Sequence, residues 1–167
     1  MNTVFLSLGS NIEPWQHLAA AVQRLASLGS LIAVSPVYES LPVGDSAQPN
    51  YLNLAVLMTT DLATAQLKQK LLVIEQALGR ARSANPNAPR TIDIDIALFN
   101  HEVLLVGKRR IPDPDVLSQP FVACPLADLA PDYVHPETGQ TLAAIAARLS
   151  AHIDIWRRDD VRLETVK

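Results

Sequence analysis

Residues 92–99 read Ile-Asp-Ile-Asp-Ile-Ala-Leu-Phe, and this alternation constrains the fold more than any other segment. A period of two is that of an extended strand whose successive side chains point to opposite faces. Ile92, Ile94 and Ile96 then enter a core. Asp93 and Asp95 share the other face, about 6.5–7 Å apart along the strand. The chain must therefore build a sheet that is apolar on one face and, at this point, polar on the other. Two like charges at that distance repel, so a cation is expected between them, and paired carboxylates suit a divalent metal. Two metals about 3.5–4 Å apart would fit in front of such a pair and bridge phosphate oxygens. Spacing alone more often marks a solvated sheet face, so the reading depends on what stands beside the aspartates.

Apolar patterning supplies the neighbouring elements. Residues 3–9 read as a buried strand ended by Gly9. Pro14 suits the first turn of a helix whose stripe is Leu18, Val22, Leu25 and Leu28, closed near Gly29. Leu31 to Tyr38 alternates as a second strand, and residues 51–60 form a third. Turn formers fill 40–50 between them. A second helix is expected over 63–78, with Leu67, Leu71, Ile74 and Leu78 buried, and Gly79 ends it. Residues 83–89, Ser-Ala-Asn-Pro-Asn-Ala-Pro, form a second long loop before the aspartate strand. A short hairpin is expected through Asn100-His101 to Glu102-Leu105. The six prolines at 112, 114, 120, 125, 131 and 136 leave room only for short helical pieces, and 141–149 reads as a last helix.

The order β-α-β-β-α-β plus a C-terminal extension predicts an α+β fold. It is the ferredoxin-like sandwich, an antiparallel sheet with both helices on one face and the other face free to build a site. No internal repeat or linker divides residues 1–167, so one domain is expected. Net charge is −3 and the pI about 5.7, which gives no global attraction to nucleic acid or to an anionic membrane. The single Cys124 excludes an intrachain disulfide and fits a reducing compartment. The apolar run at the N-terminus is too short for a signal segment or a membrane span, so a cytoplasmic protein is expected. His17, His101, His135 and His152 show no metal-ligand spacing and are expected at the surface. Arg157-Arg158-Asp159-Asp160 is charge-balanced and expected to be solvated.

Three arginines sit around one loop. Arg80, Arg82 and Arg90 flank the Pro/Asn segment that leads into Asp93 and Asp95. Guanidinium grips phosphate oxygens bidentately, and together with metal on carboxylates it makes a phosphoryl-transfer site. An arginine at a helix end alone would need no ligand. The chain has no Gly-x-x-x-x-Gly-Lys-Ser/Thr run, no Gly-x-Gly-x-x-Gly run and no kinase-type loop. Gly9-Ser10-Asn11, between strand and helix, reads as a plain turn.

Gly9-Ser10-Asn11, Gln48-Pro49-Asn50-Tyr51-Leu52-Asn53, Glu75, Gly79-Arg80-Ala81-Arg82, Pro89-Arg90-Thr91-Ile92-Asp93-Ile94-Asp95, Phe121 and Pro125-Leu126-Ala127-Asp128-Leu129-Ala130-Pro131 stand in an order that resembles one family. It is the 6-hydroxymethyl-7,8-dihydropterin pyrophosphokinases, which move a pyrophosphoryl group from ATP to a pterin alcohol in folate biosynthesis and release AMP. The resemblance covers residues 3 to about 135 and implies a set of roles. Asp93 and Asp95 would hold two magnesium ions. Arg80 and Arg90 would contact the phosphates and assist transfer. Glu75, Arg82, Ile96, Lys108 and Arg110 would lie on the ATP side. Tyr51 and Phe121 would sandwich the pterin, Asn53 would bond its amide-like edge, and Ser40, Leu41 and Val43 would complete that pocket. A monomer is implied, with pterin and ATP as its small-molecule partners. The chain departs from the family pattern at Asp113, where His is usual, at Gln119, where Arg is usual, and at Asn87, where an aromatic is common. Ala88 stands in place of Gly. These departures fall on the ATP side or the closing loop. They raise a second reading, a pterin-binding paralogue with weak or lost transfer activity.

Overall fold

The computed structural model describes residues 1–151, 155–161 and 163. Strand β1 (Asn2–Ser10) is followed by helix α1 (Pro14–Leu25), β2 (Ser30–Val34), β3 (Val37–Ser40), β4 (Tyr51–Thr60), helix α2 (Thr64–Ala77) and β5 (Asp93–Phe99). A small hairpin β6 (Leu104–Val106) and β7 (Arg109–Ile111), helices α3 (Asp115–Ser118), α4 (Pro120–Leu129) and α5 (Leu142–Ser150), and strand β8 (Ile155–Arg158) complete it. The main sheet runs β5-β1-β4-β3-β8 with β2 also on β4, and every pairing in it is antiparallel. The ferredoxin-like expectation holds.

Helices α1 and α2 cover one sheet face. Leu18, Val22 and Leu25 of α1 and Leu67, Leu71 and Ile74 of α2 pack on Val4, Leu6, Leu8, Ile94 and Ile96. Contrary to the expectation from sequence, the other face is not wholly free. Half of it carries a second core, in which Phe5, Ala55, Ala97 and Leu98 meet Val122, Leu126, Leu142 and Ile145 of α4 and α5. A bulge in the β1–β5 ladder puts Leu98 on the same side as Ala97. The aspartates lie beyond the edge of this second core.

Several boundaries differ from expectation for identifiable reasons. The expected strand 31–38 is two strands, because Pro36 has no N–H to give the ladder. Ser35 bridges the gap: its N–H donates to the Ala55 carbonyl at 2.9 Å, and its hydroxyl accepts from the Ala55 N–H at 2.8 Å. Helix α1 stops at Leu25, before Leu28. Gly29 serves a close approach to β4, since a Cβ there would stand 2.1 Å from the Thr59 carbonyl oxygen. Glu102-Leu105 does not return along β5; β6 pairs with β7 instead. Helix α4 runs ten residues through Pro125.

The segment 157–160 is not simply solvated. Strand β8 pairs with β3, Arg158 meets Glu39 at 2.7 Å, and its guanidinium lies 5.7 Å over the Trp15 ring. His135 is buried rather than at the surface, and His101 stacks on Tyr133. His152 lies outside the described residues. Among the described residues no helix is long and apolar enough to cross a membrane.

Candidate active site

Antiparallel pairing sets Gly9 of β1 between Asp93 of β5 and Asn53 of β4, and Ser7 beside Asp95. This row opens into a cavity of about 340 Å³ at the end of the sheet face that α4 and α5 leave uncovered. Ser40, Leu41, Val43, Tyr51, Asn53 and Phe121 all line it, as do Asp93 and Asp95. Gly9 leaves room for the Asn53 amide: a Cβ there would stand 3.1 Å from Asn53 Oδ1. Asn53 is buried, and its Nδ2 donates to Ser40 Oγ at 2.9 Å, which fixes the amide plane. A volume of this size with two aromatic side chains, Tyr51 and Phe121, in its lining suits a flat heterocycle.

A second cavity of about 630 Å³ adjoins the first, and Pro86, Arg90 and Asp93 line both. Glu75, Arg80, Arg82 and two cations not foreseen from sequence, Lys68 and Arg109, complete its charged wall. Glu75 is buried on α2; its Oε1 accepts from the Ile94 N–H at 2.7 Å and meets Arg80 at 3.1 Å. Burial pushes its carboxyl up, against the pull of the Ile94 N–H and Arg80. Of the remaining expected residues, Ile96 and Arg110 border a small pocket with Lys68, Asp95 and Asp113, and Arg110 is held by Glu137 at 2.6 Å. Lys108 lies in the β6–β7 turn and lines neither cavity.

The aspartates already have protein cations. Asp93 takes an ion pair from Arg80 and another from Arg90 at 2.8 Å. Burial would raise its pKa, but the two guanidiniums outweigh burial and hold it below the usual carboxylate range. Asp95 is flanked more loosely, by Lys68 at 3.4 Å and Arg109 at 3.6 Å. Burial and the neighbouring Asp93 charge push its carboxyl up. Asp113 lines the first cavity as well, and burial and Asp95 push it up to about 6, against the Asp115 N–H that it accepts. Lys68 had a findable signal, since it stands two helical turns before Glu75 on the same face of α2. Arg109 had none, being brought in by a hairpin whose pairing the sequence did not reveal.

The two long loops meet across the opening. Asn11, buried at the end of β1, donates from Nδ2 to Gln48 Oε1 at 3.0 Å and to the Pro49 carbonyl at 3.2 Å. Its Oδ1 accepts from the Arg90 N–H at 2.9 Å, and its own N–H donates to the Arg90 carbonyl at 3.1 Å. Gln48 in turn donates to the Asn87 carbonyl.

A cation-lined cavity that shares a wall with an aromatic one, with carboxylates at the junction, can transfer a charged group between two bound molecules. That is the layout of a two-substrate phosphoryl transferase. Comparison with known proteins specifies the class. The chain belongs to the 7,8-dihydro-6-hydroxymethylpterin-pyrophosphokinase (HPPK) family, whose pattern matches residues 5–131, and it is a diphosphotransferase. Its relatives include the 2-amino-4-hydroxy-6-hydroxymethyldihydropteridine pyrophosphokinase of Pseudomonas aeruginosa, 39% identical over 80% of this chain and 84% of that protein. The enzyme of the same name from Haemophilus influenzae is 32% identical over 91% of this chain and 96% of that protein. The fold matches the crystal structure of wild-type Plasmodium falciparum HPPK-DHPS with pteroate, at a TM-score of 0.72 and 15% identity over 88% of this chain. This chain spans 44% of that longer one.

Proposed function

We propose that the protein transfers a pyrophosphoryl group from ATP to 6-hydroxymethyl-7,8-dihydropterin in folate biosynthesis. The observation that carries this reading is the shared wall: Arg90 and Asp93 line both cavities, so a triphosphate in the larger one can present its β-phosphorus to an alcohol in the smaller one. The hydroxymethyl oxygen attacks that phosphorus. The bond from phosphorus to the α,β-bridging oxygen breaks, AMP departs with the electron pair, and the alcohol proton is released.

The pterin occupies the smaller cavity between Tyr51 and Phe121, edge-on to Asn53, with Ser40, Leu41 and Val43 closing its rim. The nucleotide occupies the larger one, beside Glu75 and Arg82; Ile96 and Arg110 line the small pocket that shares Lys68 and Arg109 with it, and Lys108 stands in the adjoining β6–β7 turn. Arg80 and Arg90 hold the phosphates and offset the charge that spreads over the transferring oxygens. Asp93 and Asp95 line one cavity wall and would hold magnesium as paired carboxylates. Magnesium keeps water and substrate phosphates as its other ligands. Two such ions, when bound, would neutralise the triphosphate and polarise the transferring group.

A second reading is a pterin-binding protein with weak or lost transfer, and the presence of Asp113 and Gln119 in the cavity wall favours it. A direct assay separates the two: protein, pterin alcohol, ATP and magnesium are mixed and AMP is measured. The transferase reading expects AMP. It further expects Asp95→Asn to lower turnover by at least about a hundredfold. The unfolding midpoint should not fall, because the change removes a carboxyl that burial and Asp93 already disfavour as a charge. Turnover undiminished in that variant would overturn the metal-clamp assignment. Pterin binding with no AMP from the wild-type protein would install the second reading.

A further inference from the structure

Four cation–carboxylate pairs surround the aspartates, and they fall into two kinds. Arg80 and Arg90 are tightly docked on Asp93. Lys68 and Arg109 stand 3.4 and 3.6 Å from a single oxygen of Asp95, outside the range of about 2.7–2.9 Å typical of charge-assisted bonds. Both are carried by elements that reach Asp95 from the side of the larger cavity, α2 and β7, and both line that cavity with Arg80, Arg82 and Arg90. The Lys68 side chain is 20% exposed and the Arg109 side chain 63% exposed, so both ends can turn without unpacking a core.

We propose that Lys68 and Arg109, which pair with Asp95, are phosphate-binding residues that transfer to triphosphate oxygens when the nucleotide and its metal bind. The inference rests on the transferase reading above. Lys68 and Arg109 would be repelled from Asp95 by a divalent cation bound there, and an incoming polyphosphate would be the nearest alternative anion. The exchange also answers the charge balance of the site. Asp113 and Gln119 bring no positive charge to the cavity wall, and Lys68 and Arg109 supply it beside Asp95.

The exchange predicts effects of opposite sign, which a merely structural pair would not produce. Lys68→Met and Arg109→Met are titrated by calorimetry with magnesium alone, with the α,β-methylene analogue of ATP plus magnesium, and with the pterin alcohol. Each variant should bind magnesium alone as well as the wild type or more tightly, because a competing cation is gone. Each should bind the ATP analogue on the order of tenfold more weakly, with a shallower salt dependence. Pterin affinity should be unchanged, which also reports an intact fold. Analogue binding within about twofold of the wild type in both variants would overturn the proposal and leave Lys68 and Arg109 as neutralising partners of Asp95. Wild-type protein that binds the pterin but not the analogue would overturn the nucleotide reading and the proposal with it.

Discussion

Three carboxylates within one site are shifted in different directions for different reasons. Asp93 is held ionised by two guanidiniums, whereas Asp95 and Asp113 are pushed up by burial. Asp113 gives the cleanest test at this scale. Its folded pKa of about 6 lies above the ordinary carboxyl value of 3.8, so between those pH values the folded state binds the proton that the unfolded state has lost. Stability must therefore fall as pH rises through that window, and the penalty is complete near neutrality. Asp113→Asn removes it, while its amide oxygen can still accept from the Asp115 N–H. The variant should be more stable than the wild type by about 1–3 kcal/mol near neutral pH, and the two should converge below about pH 4. Denaturant unfolding across a pH series measures this; a constant gap at all pH values would refute it. The aspartate pair itself was legible because a period of two puts both side chains on one face. Its cations were legible only in part. Arg90 lies three residues from Asp93, but Lys68 and Arg109 come from a helix and a hairpin that only the tertiary fold brings near.

Elements with a strong apolar period read correctly from sequence, and those whose form depends on a partner did not. Strands β1, β4 and β5 and helices α1 and α2 each carry an apolar stripe, and their expected spans differ from the observed ones by a few residues. The three-residue strands β6 and β7 are too short to show a period, and β8 is a charged edge strand defined by its pairing to β3. The turn at Gly9-Ser10-Asn11 also looked plain. It is instead a junction, because one buried amide at Asn11 ties the end of β1 to the segment before β4 and to the segment before β5. Asn11→Ala deletes three side-chain hydrogen bonds and leaves the Arg90 N–H without its side-chain acceptor. Stability should drop by about 2–3 kcal/mol. Arg90 should lose its fixed approach to Asp93, so turnover should fall while pterin affinity changes little. Unfolding curves together with separate binding and turnover measurements check this. A loss of stability with turnover intact would show that Asn11 braces the fold without positioning Arg90.

At the scale of the molecule, the sheet divides the work between its faces. Helices α1 and α2 cover one face, and α4 and α5 cover half of the other, which leaves a cavity lined by charged side chains at the aspartate end of the sheet. That half-covered face was not foreseen, since the proline-rich stretch 111–140 suggested only fragments of helix, whereas α4 accommodates Pro125 and builds a core. The uncovered half is roofed by the 40–50 and 83–89 loops, which touch through Gln48 and Asn87. Gly44 is specific to this contact: it has φ of +88°, and a Cβ there would stand 2.5 Å from Asn87 Nδ2. Neither loop contains regular structure, so each is held by a few hydrogen bonds and should open locally at low cost. A transferring phosphoryl group must be kept from water, and loops so placed are the parts of this molecule able to do it. Amide hydrogen exchange should therefore slow in both loops when the pterin alcohol and the α,β-methylene ATP analogue are bound together, and less with either alone. Strands β1 and β4 should not change, being already protected by the sheet. If both loops exchange at the same rate with and without the two ligands, the loops are walls and not lids, and exclusion of water must come from the substrates themselves.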